Sequence, residues 1–176
     1  MAKVLIFDTS ILCVWLQIPG KEICGSDEDP WNHDRVKEII DKERKANTTF
    51  ILPLAAIIET GNHIAQAQSQ RYEKAQELAK LMILAADQTT PWAAFTEQSV
   101  FWQADGLKKL AEVWPPLANQ RLAMGDATIK DIAEYYHRLK MEVEILTGDQ
   151  GLKSYEPTQQ QTQNTSYSQR RRRNRS

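Results

Sequence analysis

The sequence predicts an α/β fold, a parallel central sheet with helices on both faces, from three observations. Two short apolar runs, Val4-Leu5-Ile6-Phe7 and Phe50-Ile51-Leu52, read as strands buried on both faces, and Glu142 to Thr147 reads as a third. Segments with helical apolar spacing separate these strands, as a parallel sheet requires. The first and last strands each run into an acid, Asp8 and Asp149, at the carboxyl edge where open α/β sheets bind ligands.

In order, Thr9 or Ser10 is expected to cap a helix that begins at Ile11 and ends near Pro19-Gly20. Asp8 itself also reads as an N-cap. Residues 20–30 are loop-like, with the acids Asp27, Glu28 and Asp29 in a solvated loop. Asp29-Pro30 reads as an N-cap with proline at the first helical position. The next helix carries Val36, Ile39 and Ile40 on one face, and Pro53 stops the strand Thr48 to Leu52. Leu54, Ile57, Ile58 and Ile64 then keep helical spacing, with Glu59 at the edge of their stripe.

A further helix places Tyr72, Ala75, Leu78, Ala79, Met82 and Ile83 on one side. Pro91 separates it from a pattern of Val100, Phe101, Ala104, Leu107, Ala111 and Trp114, which spans Gly106 and is broken by Pro115-Pro116. Residues 117–124 fit either a short strand or a helical turn. Gly125-Asp126 opens a helix with Ile129, Ile132, Ala133, Tyr136 and Leu139 inward. The last strand, with Val143, Ile145 and Leu146 apolar, follows it.

The 176 residues are 41% hydrophobic and 26% charged, as in an ordinary globular protein. Residues 1–156 are read as one domain. Residues 157–176 are rich in Gln, Asn, Thr and Ser and carry Arg170, Arg171, Arg172, Arg173 and Arg175. They have little to bury and are expected to form a disordered basic tail. Its arginines can grip a nucleic-acid backbone. Net charge is −1, but without those five arginines 17 basic residues face 23 acidic ones. Phosphate chemistry on so acidic a body calls for bound cations rather than a basic surface. No apolar run approaches the roughly 20 residues of a membrane span. Met1-Ala2-Lys3 leads straight into strand-like sequence, and two cysteines without metal spacing, Cys13 and Cys24, fit a reducing compartment. A cytoplasmic location without membrane attachment is the expectation.

Parallel topology brings Asp8 and Asp149 to one edge, and a helix that follows a strand starts there, which lets Glu59 reach the same place. The position of Asp126 depends on the crossover into the last strand. Each acid has a structural alternative as a cap, a turn residue or a solvated side chain. Together, carboxylates in such number repel one another unless a cation holds them, and oxygen ligands suit Mg²⁺ or Mn²⁺. His63, one helical turn after Glu59, reads as a partly exposed histidine.

Val-Leu-Ile-Phe-Asp8-Thr-Ser, the apolar helix with Glu59, Gly125-Asp126-Ala-Thr-Ile and Ile-Leu-Thr147-Gly-Asp149 resemble the ordered acidic motifs of the PIN-domain nucleases, over about residues 3–153. The resemblance implies a three-layer sandwich of that type, with Asp8, Glu59, Asp126 and Asp149 holding one or two divalent cations. It implies metal-dependent phosphodiester hydrolysis, most often of RNA, leaving 5′-phosphates. Thr147 would act through its hydroxyl beside the ligands, and Thr9, Ser10 and Asn62 would lie near ligands or substrate. Many relatives are ribonuclease toxins of the VapC-like kind, so an inhibitor protein (antitoxin) and a homodimer enter as candidate partners. The long middle and Gln150-Gly151-Leu152 after the last acid depart from the compact toxins. Two other readings compete. One is a non-catalytic module of the same fold that binds nucleic acid or a partner. The other is a haloacid-dehalogenase-like phosphatase, against which Ser10 stands where that family has a second aspartate.

Overall fold

The computed structural model describes residues 1–158. The expected basic tail, with Arg170, Arg171, Arg172 and Arg173, lies outside the described residues. In chain order the strands are β1 (Lys3–Phe7), β2 (Cys24–Ser26), β3 (Asp29–Trp31), β4 (Thr49–Ile51) and β5 (Glu142–Leu146). The helices are α1 (Thr9–Trp15), α2 (His33–Lys45), α3 (Leu54–Gln66), α4 (Arg71–Ala86), α5 (Ser99–Trp102), α6 (Ala104–Asn119), α7 (Met124–Arg138) and α8 (Gln150–Lys153).

The central sheet has three parallel strands in the order β4-β1-β5. In register, Leu5 stands between Phe50 and Glu144, and Ile6 between Ile51 and Ile145. The period-2 alternation of a strand sends Leu5 and Phe7 to one face and Val4 and Ile6 to the other. Leu5 and Phe7 pack with Ile11 and Leu12 of α1, Val36 and Ile40 of α2, and Ala56 and Ile57 of α3. Val4 and Ile6 pack with Ile129, Ile132, Ala133 and Tyr136 of α7. Both faces of β1 are therefore covered, which is why its sequence is an uninterrupted apolar run. The result is a helix–sheet–helix sandwich.

Two edges are closed by polar devices. Along β5, Ile145 N–H donates to Glu156 at 2.8 Å and Ile145 O accepts from Lys153 Nζ at 2.9 Å. Beyond β4, Phe50 N–H donates to Pro91 O at 2.8 Å and Phe50 O accepts from Ala93 N–H at 2.9 Å, so Trp92 bridges in parallel as a vestigial strand. The Gln98 amide then clamps the chain leaving β4, donating to Leu52 O at 2.8 Å and accepting from Leu54 N–H at 3.1 Å.

Several expected details change. Asp8, not Thr9 or Ser10, is the N-cap of α1, and the helix starts at Thr9. Residues 24–31 form an antiparallel hairpin rather than a solvated loop, and the cap of α2 is Asn32, whose side chain accepts from Arg35 N–H at 3.0 Å. Asp29 is instead committed to the hairpin and to Arg35. Helix α6 runs on through Pro115-Pro116 to Asn119. The carbonyls that lose their donors belong to the exposed Ala111 and Glu112, where water replaces the missing bonds. Residues 117–124 hold the end of α6 and a turn, not a strand. The middle helices also turn differently. Tyr72, Met82 and Ile83 of α4 face outward, as do Val100, Leu107, Leu139 and Ile58, whereas Leu78, Ala85 and Leu110 are buried.

Candidate active site

Four elements deliver one acid each to a single cleft of about 330 Å³ at the carboxyl edge of the sheet. Asp8 comes from the end of β1, Glu59 from the second turn of α3, Asp126 from the first turn of α7, and Asp149 from the residue capping α8. The crossover through α7 settles the position of Asp126. This helix enters the sheet from its carboxyl edge and runs back alongside β5, so its N-terminus lies at the cleft.

Asp8 is 5% exposed and held through one oxygen. Its Oδ2 accepts from Ser10 Oγ at 2.6 Å, Thr147 Oγ1 at 2.8 Å and Ser10 N–H at 3.4 Å. No described residue donates to Oδ1. Thr147, 3% exposed, in turn accepts from Asp149 N–H at 2.9 Å, which couples the two acids through one hydroxyl. Asp149 Oδ1 accepts from Gly151 N–H at 2.7 Å and Leu152 N–H at 3.3 Å. Glu59 Oε2 accepts from Thr9 Oγ1 at 3.0 Å. Thr9, Ser10 and Thr147 thus all hydrogen-bond carboxylates of the cleft. Asn62 is exposed and does not line the cleft.

Asp126 differs from the other three acids in receiving no hydrogen bond from a described side chain or backbone N–H. Burial, together with the charges of Asp8, Asp149 and Glu59, pushes its carboxyl from 3.8 up to about 7. The donor set is hard oxygen, and one member carries the strain of three like charges, so a divalent cation fits the chemistry. Among the described residues, however, no three such side chains close around one point as they stand.

Other residues also line the cleft. Lys21, Ile23, Cys24 and Cys13 all face it, as does His63, one turn along α3 from Glu59. Cys24 opens the hairpin, Lys21 and Ile23 lie on the arm that leads into it, and the position of the hairpin is fixed by glycines. A side chain at Gly148 would meet Cys24 Sγ at 2.6 Å and Gly25 N at 2.9 Å, so the hairpin rests directly on the backbone between Thr147 and Asp149. Gly25 takes φ +87°, closed to most side chains, to make this turn. On the outer side, the Arg35 guanidinium lies 3.8 Å over the Trp31 ring and bonds Asp29 Oδ1 at 2.7 Å. Burial pushes the Cys13 thiol up to about 11, with the nearby Lys21 charge acting against the rise. Gly125 is a further site residue, because any side chain there would run into the Glu59 carboxylate.

No family model matches this chain. No curated protein or solved structure matches it either. No helix among the described residues is long and apolar enough to cross a membrane.

Proposed function

We propose that this protein is a divalent-cation-dependent nuclease of the PIN type, hydrolysing phosphodiester bonds in RNA. The observation that carries the reading is the convergence of Asp8, Glu59, Asp126 and Asp149 from four elements on one cleft, with the Asp126 carboxyl raised by burial and by the charges of the other three. A bound Mg²⁺ or Mn²⁺ supplies an acidified water and offsets charge on the phosphoryl oxygens. Ser10 and Thr147 fix Asp8 through Oδ2 and leave Oδ1 without a described donor, so Asp8 would be one of the residues to hold a cation. Thr9 holds Glu59, and the backbone after Asp149 holds that carboxylate, so both present a set oxygen to the cleft. Asp126 has no competing donor among the described residues and would join the other three acids in holding the cation. Ser10, turned back onto Asp8, occupies the place where a phosphatase of the haloacid-dehalogenase kind would need its second acid.

The test is turnover of a 5′-labelled single-stranded RNA with Mn²⁺ and with EDTA, beside Asp8→Asn. Cleavage is expected only with the cation, and the variant should be slower by about 10²-fold or more. Cleavage that survives the substitution removes Asp8 from the site. RNA binding that is indifferent to EDTA, with no turnover, instead supports the non-catalytic module. A toxin role would further require an inhibitor protein that binds at or near this cleft.

A further inference from the structure

We infer that the arm leading into the β2–β3 hairpin, residues 21–24, is a substrate-binding wall, with Lys21 taking a backbone phosphate and Ile23 packing against the unpaired base beside it. This inference rests on the nuclease reading of the cleft and adds the site's preference for single strands. The acids leave the cleft strongly negative, so a polyanion entering it needs positive charge from the protein as well as from any cation. Among the described residues, Lys21 is the only lysine or arginine lining the cleft, and it makes no ion pair with another of them. Its charge already acts on Cys13 inside the cleft.

Ile23 lies on the same arm and is 66% exposed although it lines a cleft of otherwise polar and ionisable side chains. Such a residue gains from a flat apolar face laid on it, and a nucleobase presents one. The wall is rigid. Lys21 N–H is tied to Ile18 O at 2.8 Å, Cys24 sits on Gly148, and Trp31 is clamped from behind by Arg35. A paired base keeps its faces stacked within a duplex and cannot offer one to Ile23. The wall therefore selects an unpaired nucleotide next to the scissile phosphate.

The experiment compares wild type with Lys21→Gln, Ile23→Ser and the control Lys80→Gln on the exposed side of α4. It uses the full chain, Mn²⁺, and one RNA sequence as a single strand and as a duplex. Lys21→Gln should raise KM about tenfold, with a much smaller change in kcat, and reduce the slope of log affinity against log salt by about one. Ile23→Ser should raise KM on the single strand and narrow the single-strand preference, and Lys80→Gln should do neither. Unchanged KM and salt slope in both hairpin variants, with wild type active, overturn the wall and leave the nuclease reading intact. If wild type does not cleave, the nuclease reading fails, and RNA binding by fluorescence anisotropy then decides the wall. Affinity weakened by Lys21→Gln and Ile23→Ser supports it, and affinity unchanged in both, or no binding at all, overturns it.

Discussion

The strands around β1 and the helices between residues 71 and 119 spend their apolar side chains in opposite ways. In the sheet, Val4, Leu5, Ile6 and Phe7 are all fully buried, because a central strand has helices above and below it. In α4, Leu78 and Ala85 point inward while Tyr72 at 73% and Ile83 at 60% exposure point out, with no described residue covering them. The spacing of α4 is apolar on two sides, so periodicity groups residues into faces without saying which face packs. A run of apolar residues in a strand carries no such ambiguity when both faces are covered.

The sharpest way to break this contrast is a pair of truncations. Leu5→Ala should cost about 2–5 kcal/mol in denaturant unfolding, the toll of a cavity in a closed core. Ile83→Ala should stay within about 0.5 kcal/mol. Equal losses would mean that the exposed stripe is covered in solution.

Two glycines sharpen it further. Gly106→Ala would drive a methyl into the backbone carbonyls of Val100 and Phe101 at the corner between α5 and α6, and should cost about 1–3 kcal/mol. Gly125→Ala meets only the mobile end of Glu59 and should fold nearly as well as wild type. Its RNA cleavage should still fall by about 10-fold or more, as Glu59 is displaced from the cleft. A Gly125→Ala protein with full activity would remove Glu59 from the cation site.

The site itself should show in the pH dependence of stability. Folded Asp126 keeps its proton up to about pH 7, whereas the unfolded chain loses it near 3.8. In the absence of cation the folded state therefore binds more protons across that window, and stability falls as pH rises through it. Thermal unfolding in EDTA should show this decline in wild type and less of it in Asp126→Asn. Added Mn²⁺ should raise Tm more at pH 8 than at pH 5, because the cation displaces that proton. A Tm gain from Mn²⁺ that does not change with pH would count against Asp126 as a ligand. Smallest of all, Thr147→Val should leave the fold in place and weaken Mn²⁺ affinity by about 10- to 100-fold, through loss of the hydroxyl that orients Asp8, readable by titration calorimetry.

How much of the site could be read beforehand follows the same division. Asp8 and Asp149 were legible because each ends a strand, and parallel strands end on one edge. Glu59 was legible because α3 follows β4. The hydroxyl of Thr147 was expected beside the ligands, and the structure sets it between Asp8 and Asp149. Lys21, Ile23 and Cys24 were not legible. They sit in a stretch with loop composition, and only the packing of Gly25 and Gly148 against each other brings that stretch over the acids. Asn62 went the other way: near Glu59 in sequence, it is carried by the helix to an exposed face.

By itself, the sequence determined the α/β class, the two-sided burial of β1 and the edge where the acids gather, since these follow from strand periodicity and parallel topology. Tertiary structure alone decided which face of α4 packs, where Asp126 enters the cleft, and that Lys21, Ile23 and Cys24 lie beside it. Those outcomes depend on contacts between segments far apart in the chain, whose free energies no local pattern contains.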